Sequence, residues 1–121
     1  MNKYLQVFSF LIISFLTLSS FRANIGLLPT SLKITVLNEL GNPVESAKVT
    51  LYKTKEDYKA ETNPVTETML TDEKGIVKFK NLEPIPYYVL AELDKKSNIG
   101  AGVLTNTLLE GKTNKVNTII E

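Results

Sequence analysis

From Leu32 onward, apolar and polar residues alternate in short runs. Leu32, Ile34 and Val36 fall on one side of an extended chain, with Lys33 and Thr35 on the other. That period of two is the mark of a strand with one buried face. It returns in Lys48 to Lys53, with Val49 and Leu51 inward and Tyr52 outward, and in Val77 and Phe79 against Lys78 and Lys80. A further strand puts Tyr87, Val89, Ala91 and Leu93 on one face. Threonine-rich Val65 to Leu70, glycine-softened Ile99 to Leu104 and the closing run Val116 to Ile120 complete the set.

Polar, Gly- and Pro-containing turns separate these runs: Asn38 to Pro43, Asp72 to Gly75, Asn81 to Pro86, Asp94 to Asn98 and the region near Gly111. The polar stretch 54–64 reads as a solvated loop. No apolar period of about 3.6 residues runs for a useful length after residue 23. Short strands with turn signals every ~8–12 residues are the pattern of two packed sheets. The expected fold is all-β, a seven-stranded Greek-key β-sandwich over residues 32–121.

Ahead of it, residues 1–23 place Lys3 before an apolar run from Leu5 to Leu18, followed by small residues. Basic, apolar and then cleavable is the layout of a secretory signal helix, with cleavage after Ser20 or Ala23. An uncleaved anchor is the alternative, although Leu5 to Phe21 barely reaches the ~20 apolar residues that span a bilayer. Residues 24–31, with Gly26 and Pro29, read as a linker. The expected location is outside the cytoplasm, periplasmic or at the cell surface.

Composition narrows the chemistry. The chain has 121 residues, no cysteine and no histidine. This excludes disulfides and thiol catalysis, and it removes the commonest general base and transition-metal ligand. Without Lys3 and Arg22, the remainder carries 12 basic against 13 acidic residues, so net charge points to no nucleic-acid partner. Ser97 beside Lys95 and Lys96 is the nearest approach to a serine–lysine dyad, but it lies in an evident turn. Adjacent carboxylates at Glu56-Asp57 and Asp72-Glu73 lack calcium-loop spacing. No cofactor, metal site or catalytic residue is predicted.

Tyr52 and Tyr88 project outward by alternation, and Tyr58 lies in the long loop. Outward aromatics can form a platform for a sugar ring or a protein, so Tyr52, Tyr58 and Tyr88 are the candidate partner or glycan contacts. Cross-strand packing is the competing role.

The series Gly41-Asn42-Pro43-Val44, Ala47, Val49, Leu51, then Thr71-Asp72-Glu73-Lys74-Gly75, Val77, Phe79, Leu82, Pro84 and Tyr87 resembles a known pattern. It is similar to the prealbumin-like β-sandwich modules: carboxypeptidase regulatory-like domains and the Cna B-type (SpaA-like) domains of bacterial surface proteins. Such modules serve as spacers, docking domains and binding domains. Cna B-type members often carry a Lys–Asn isopeptide bond promoted by a glutamate. Alignment puts the lysine's place at Val36 and the glutamate's at Ala91, both apolar, while Lys33, Glu92 and Asn117 fall on the wrong face or register. The fold also includes a histidine-dependent hydrolase branch, which a chain without histidine does not match.

The expected function is therefore that of a non-catalytic accessory or binding module of the cell envelope. It would recognise protein or glycan through loops and an outward sheet face. The alternative is a structural spacer or assembly subunit that pairs through edge strands, with the last strand offered to a neighbour.

Overall fold

In the computed structural model, the alternating positions become the facing layers of a sandwich. Residues 28–100 and 103–121 are described; the expected signal segment and residues 24–27 lie outside them. The elements are β1 (Ser31–Leu37), β2 (Lys48–Tyr52), α1 (Lys55–Ala60), β3 (Met69–Leu70), β4 (Ile76–Phe79), β5 (Tyr88–Leu93), β6 (Lys96–Ser97) and β7 (Thr113–Ile119).

One sheet has the order β4-β1-β7 and the other β3-β2-β5-β6. Between them Leu32, Ile34, Val36, Val49, Leu51, Val77, Phe79, Val89 and Ala91 form a single core, joined by Tyr87, Leu82, Leu108 and Ile120. The inward residues of β1 are fully buried. Register explains why: a slip of one residue would turn Lys33 and Thr35 into this space. The first and last strands lie side by side and parallel, with Ile34 opposite Val116.

The structure corrects the sequence reading in several places. Residues 55–60 form a helix rather than an open loop. Thr54 caps it, its hydroxyl accepting from the Asp57 N–H at 3.1 Å, and Glu61 ends it in the left-handed conformation. Six residues are too few for an apolar period to register, so the cap was the only signal.

The expected strand Val65 to Leu70 contracts to Met69–Leu70, although the Val65 N–H still bonds the Leu51 carbonyl. Lys96–Ser97, read as part of an exposed turn, is a strand paired with β5, and Asn98 next to it is fully buried. No strand is assigned to 99–100 or 103–104; instead, 103–105 touches β5 through a bridge between Tyr88 and Leu104 and through backbone bonds to Val89 and Tyr87. β1 starts at Ser31, one residue inside the stretch read as linker.

Candidate functional site

The three candidate tyrosines meet on the outer face of the β2–β5 sheet. Tyr52 and Tyr88 are register partners, and α1 lays Tyr58 over both. The Tyr52 and Tyr58 rings are edge-on with centroids 6.2 Å apart, and Tyr58 stacks on Tyr88 at 5.8 Å. Thr50 and Leu90, the next pair along, are also buried.

Helix and strands thus enclose a small second core on the far side of the sheet. Tyr52 faces away from the main core, as alternation requires, yet it is only 3% exposed. What covers it is α1, which stands where the sequence pattern predicts a loop. Burial pushes the Tyr52 and Tyr58 hydroxyl pKa values up, with nearby carboxylates adding to the effect. Tyr58 and Tyr88 keep partly exposed edges.

The other residues singled out stay apart. Val36 and Ala91 are fully buried and apolar. Lys33 and Asn117 belong to the β4-β1-β7 sheet, whereas Glu92 pairs with Lys48 and Ser97 in the other. Among the described residues there is no cluster of three or more metal-ligating side chains. Ser97 hydroxyl accepts a long bond of 3.4 Å from the Ile99 N–H, and its neighbours Lys95 and Lys96 are exposed.

A different feature stands out at β7. It is the outer strand of its sheet, with β1 as its neighbour among the described strands. The direction of its peptide groups follows from its two ends. The Lys112 carbonyl accepts from Ser31 and the Ile120 N–H donates to Leu37, both toward β1. N–H and C=O of one residue point to the same side of a strand, and the side alternates along the chain. Even-numbered residues therefore serve β1, and the peptide groups of Thr113, Lys115, Asn117 and Ile119 point outward. Glu121 fits this parity, exchanging two outward backbone bonds with Ser97.

Beside the open edge, between β7 and the 103–106 segment, lies a groove of about 200 Å³ lined by Val89, Val103 to Asn106 and Val116 to Thr118. A second hollow continues it past Leu108 and Leu109. Leu104 and Leu109 on this flank are 54% and 61% exposed. The inward residues of β7, namely Asn114, Val116 and Thr118, are only half-buried, whereas those of β1 are sealed. The sandwich is closed along β1 and left ajar along β7.

At the far end of that opening Asn98 closes the gap. Its side chain accepts from the Ala91 N–H at 3.0 Å and donates to the Val89 carbonyl at 2.8 Å and to the Thr118 hydroxyl at 3.0 Å. This clasp is not legible from the pattern, because an Asn after Asp-Lys-Lys-Ser has the look of an exposed turn.

The sequence model for the SpaA prealbumin-like fold domain matches residues 30–116. No curated protein sequence matches the chain. Among solved structures, a streptococcal ancillary pilin superimposes with a TM-score of 0.57 at 17% identity, over 77% of this chain and 32% of that one. BcpA, the major pilin subunit of Bacillus cereus, gives 0.51 at 16% identity, over 78% and 30%. Hydroxyquinol 1,2-dioxygenase from Pseudomonas putida DLL-E4 gives 0.51 at 8% identity, over 78% and 57%. The chain spans about a third of the length of either pilin. Likeness at these identities concerns the fold, which pilins and an oxygenase share.

Proposed function

Since the chain belongs to the SpaA prealbumin-like fold domain family, we propose that it is a non-catalytic structural subunit of the cell envelope. It assembles with neighbouring subunits by strand addition at β7. The observation that carries this reading is the seven-residue edge whose odd-numbered peptide groups have no backbone partner among the described residues, flanked by a groove with exposed leucines. An unpaired edge offers main-chain hydrogen bonds to an incoming strand, and pockets beside it take alternate side chains. The half-buried Val116 and Thr118 would be covered at the same time. Between the two functions expected from the sequence, this geometry favours the assembly subunit. A recognition role for Tyr52, Tyr58 and Tyr88 has less support, because their faces are spent largely on one another.

Export to the periplasm or cell surface is part of the proposal. It rests on the N-terminal pattern and on the pilins that share the fold; among the described residues no helix is long and apolar enough to cross a membrane.

The test is Asn117→Pro. Proline removes an outward N–H and leaves the β1–β7 ladder untouched, a placement that edge strands tolerate. Sedimentation of the mature chain over a range of concentrations, alone and with cell-envelope extract, should show higher-order species that the variant does not form. Its urea midpoint should stay within about 1 kcal/mol of wild type. A wild-type chain that stays monomeric in both settings, or a variant that assembles as well as wild type, would overturn the reading.

A further inference from the structure

Each strand of the β4-β1-β7 sheet carries one charged residue, and all three are lysines: Lys78, Lys33 and Lys115. Register places them in a single row, Lys33 opposite Lys78 on one side and Lys115 on the other. They share the face that points away from the core, because the alternate residues Leu32 and Ile34 are buried. Strands lie ~4.8 Å apart, so the row crosses the sheet in about 10 Å. The salt bridges among the described residues, Lys53 with Glu83 and Lys96 with Glu39, involve none of the three. Lys80, exposed and one alternation beyond Lys78, extends the positive charge.

Like charges directly opposite one another weaken a sheet. Protection of an edge does not account for the row, because Lys33 is on the central strand. We propose that this face binds an acidic polysaccharide, laid across the strands with its anionic groups on the lysine row.

The flanking rows support a glycan. Thr35 and Asn117 lie on one side of the lysines and Thr113 on the other, giving hydroxyl and amide groups suited to sugar hydroxyls. Next to the row the face carries one apolar residue, half-buried Ile76 opposite Thr35, and it becomes wholly apolar at Leu37 and Ile119, two rows from the lysines. Ile76, the aliphatic neighbour of the row, is half-buried, and no aromatic residue of these three strands shares the face, so no exposed wedge is offered to a lipid layer. Apart from these four lysines, the chain past residue 23 carries 8 basic against 13 acidic residues, so the attraction is local to this face. The inference stands independently of strand addition at β7.

The experiment measures binding of the mature full chain to dextran sulfate, poly(glycerol phosphate), alginate, neutral dextran and phosphatidylglycerol vesicles. The charged polymers should bind with an affinity that falls steeply with salt, and neutral dextran should not. Their order separates sulfate, phosphate and carboxylate as the anionic group. The triple variant K33Q/K78Q/K115Q should bind at least tenfold more weakly, and the control K48Q/K55Q/K59Q within twofold of wild type. Removing the repulsion should leave the triple variant's urea midpoint unchanged or raised, and K115Q alone, on the edge strand, should show a severalfold loss. Equal losses in both triple variants, no binding to any charged polymer, or binding to vesicles alone would overturn the proposal.

Discussion

The Tyr58 hydroxyl is buried without a hydrogen-bond partner among the described residues, while its ring packs on Tyr52 and Tyr88. An unpaired buried hydroxyl costs free energy that a phenyl ring does not. Tyr58→Phe should therefore leave stability unchanged or raise it by up to about 1 kcal/mol, whereas Tyr58→Ala should lose about 2–3 kcal/mol of packing. Urea denaturation decides between them, and a clear loss in the Phe variant would mean that the hydroxyl is bonded after all. The same burial fixes a pH dependence. Tyr52, Tyr58 and Tyr87 have pKa values raised above 10.0, with desolvation the first cause in each. Above pH ~10 the unfolded tyrosines release protons that the folded ones still hold, so the unfolded state gains. The stabilisation is complete below that pH and is lost as pH rises through the folded values. The urea midpoint should drop between pH 8 and 11, and less so in Tyr58→Phe. Alternation alone assigned Tyr52 and Tyr88 to one outward face; that the face is covered depends on α1, which period-two reasoning has no means to see.

At the level of elements, the most legible piece is the turn into β4. Asp72 accepts from the Lys74 and Ile76 N–H groups at 2.9 and 3.0 Å. Gly75 follows at φ +74°, and a Cβ there would lie 2.7 Å from the Val36 carbonyl oxygen. Val36 in turn donates to the Gly75 carbonyl, so the turn and β1 hold each other in place. Upstream, Thr71 braces the β1–β2 connection, its hydroxyl donating to the Val44 carbonyl and accepting from the Ala47 N–H. Asp72-Glu73-Lys74-Gly75 announces the turn itself in sequence, whereas the bonds of Thr71 and the approach of Gly75 to Val36 join distant residues that the pattern does not pair. Gly75→Ala combines a left-handed backbone with a backbone clash and should cost about 2 kcal/mol or more. A denaturation midpoint within about 0.5 kcal/mol of wild type would show that the turn can relax. The short elements were not legible for the opposite reason. β3 and β6 have two residues each, and they exist because β2 and β5 offer edges, not because their own sequences favour extension.

Taken as a whole, the molecule is sealed on the β1 side and held by few groups on the β7 side. The parallel β1–β7 pairing joins residues some 80 positions apart in register, Ser31 with Thr113 and Leu37 with Ile119. Sequence patterns could list both strands without showing that they are neighbours. Two of the three inward residues of β7, Asn114 and Thr118, are also polar, so its alternation marks a face only weakly. Across the gap, two links among the described residues tie β7 and its C-terminal continuation to the other sheet: Asn98 reaching Thr118, and the backbone exchange between Ser97 and Glu121 just past the strand. Asn98 is 0% exposed, and removing its amide would leave the Ala91 N–H and Val89 carbonyl without that partner. Each such group costs about 1–3 kcal/mol, so Asn98→Ala should lose about 2–4 kcal/mol. Thr118→Val deletes only the link to β7 and should lose about 1 kcal/mol. If Asn98 acts as the clasp between sheets, the two substitutions share one interaction and their costs should fall short of additive in a double-mutant cycle. Hydrogen exchange would then report the consequence at the edge: amides of β7 should open more readily in either variant, while those of β2 change only with global stability. Additive losses with unchanged β7 exchange would mean that β1 alone holds the last strand in place.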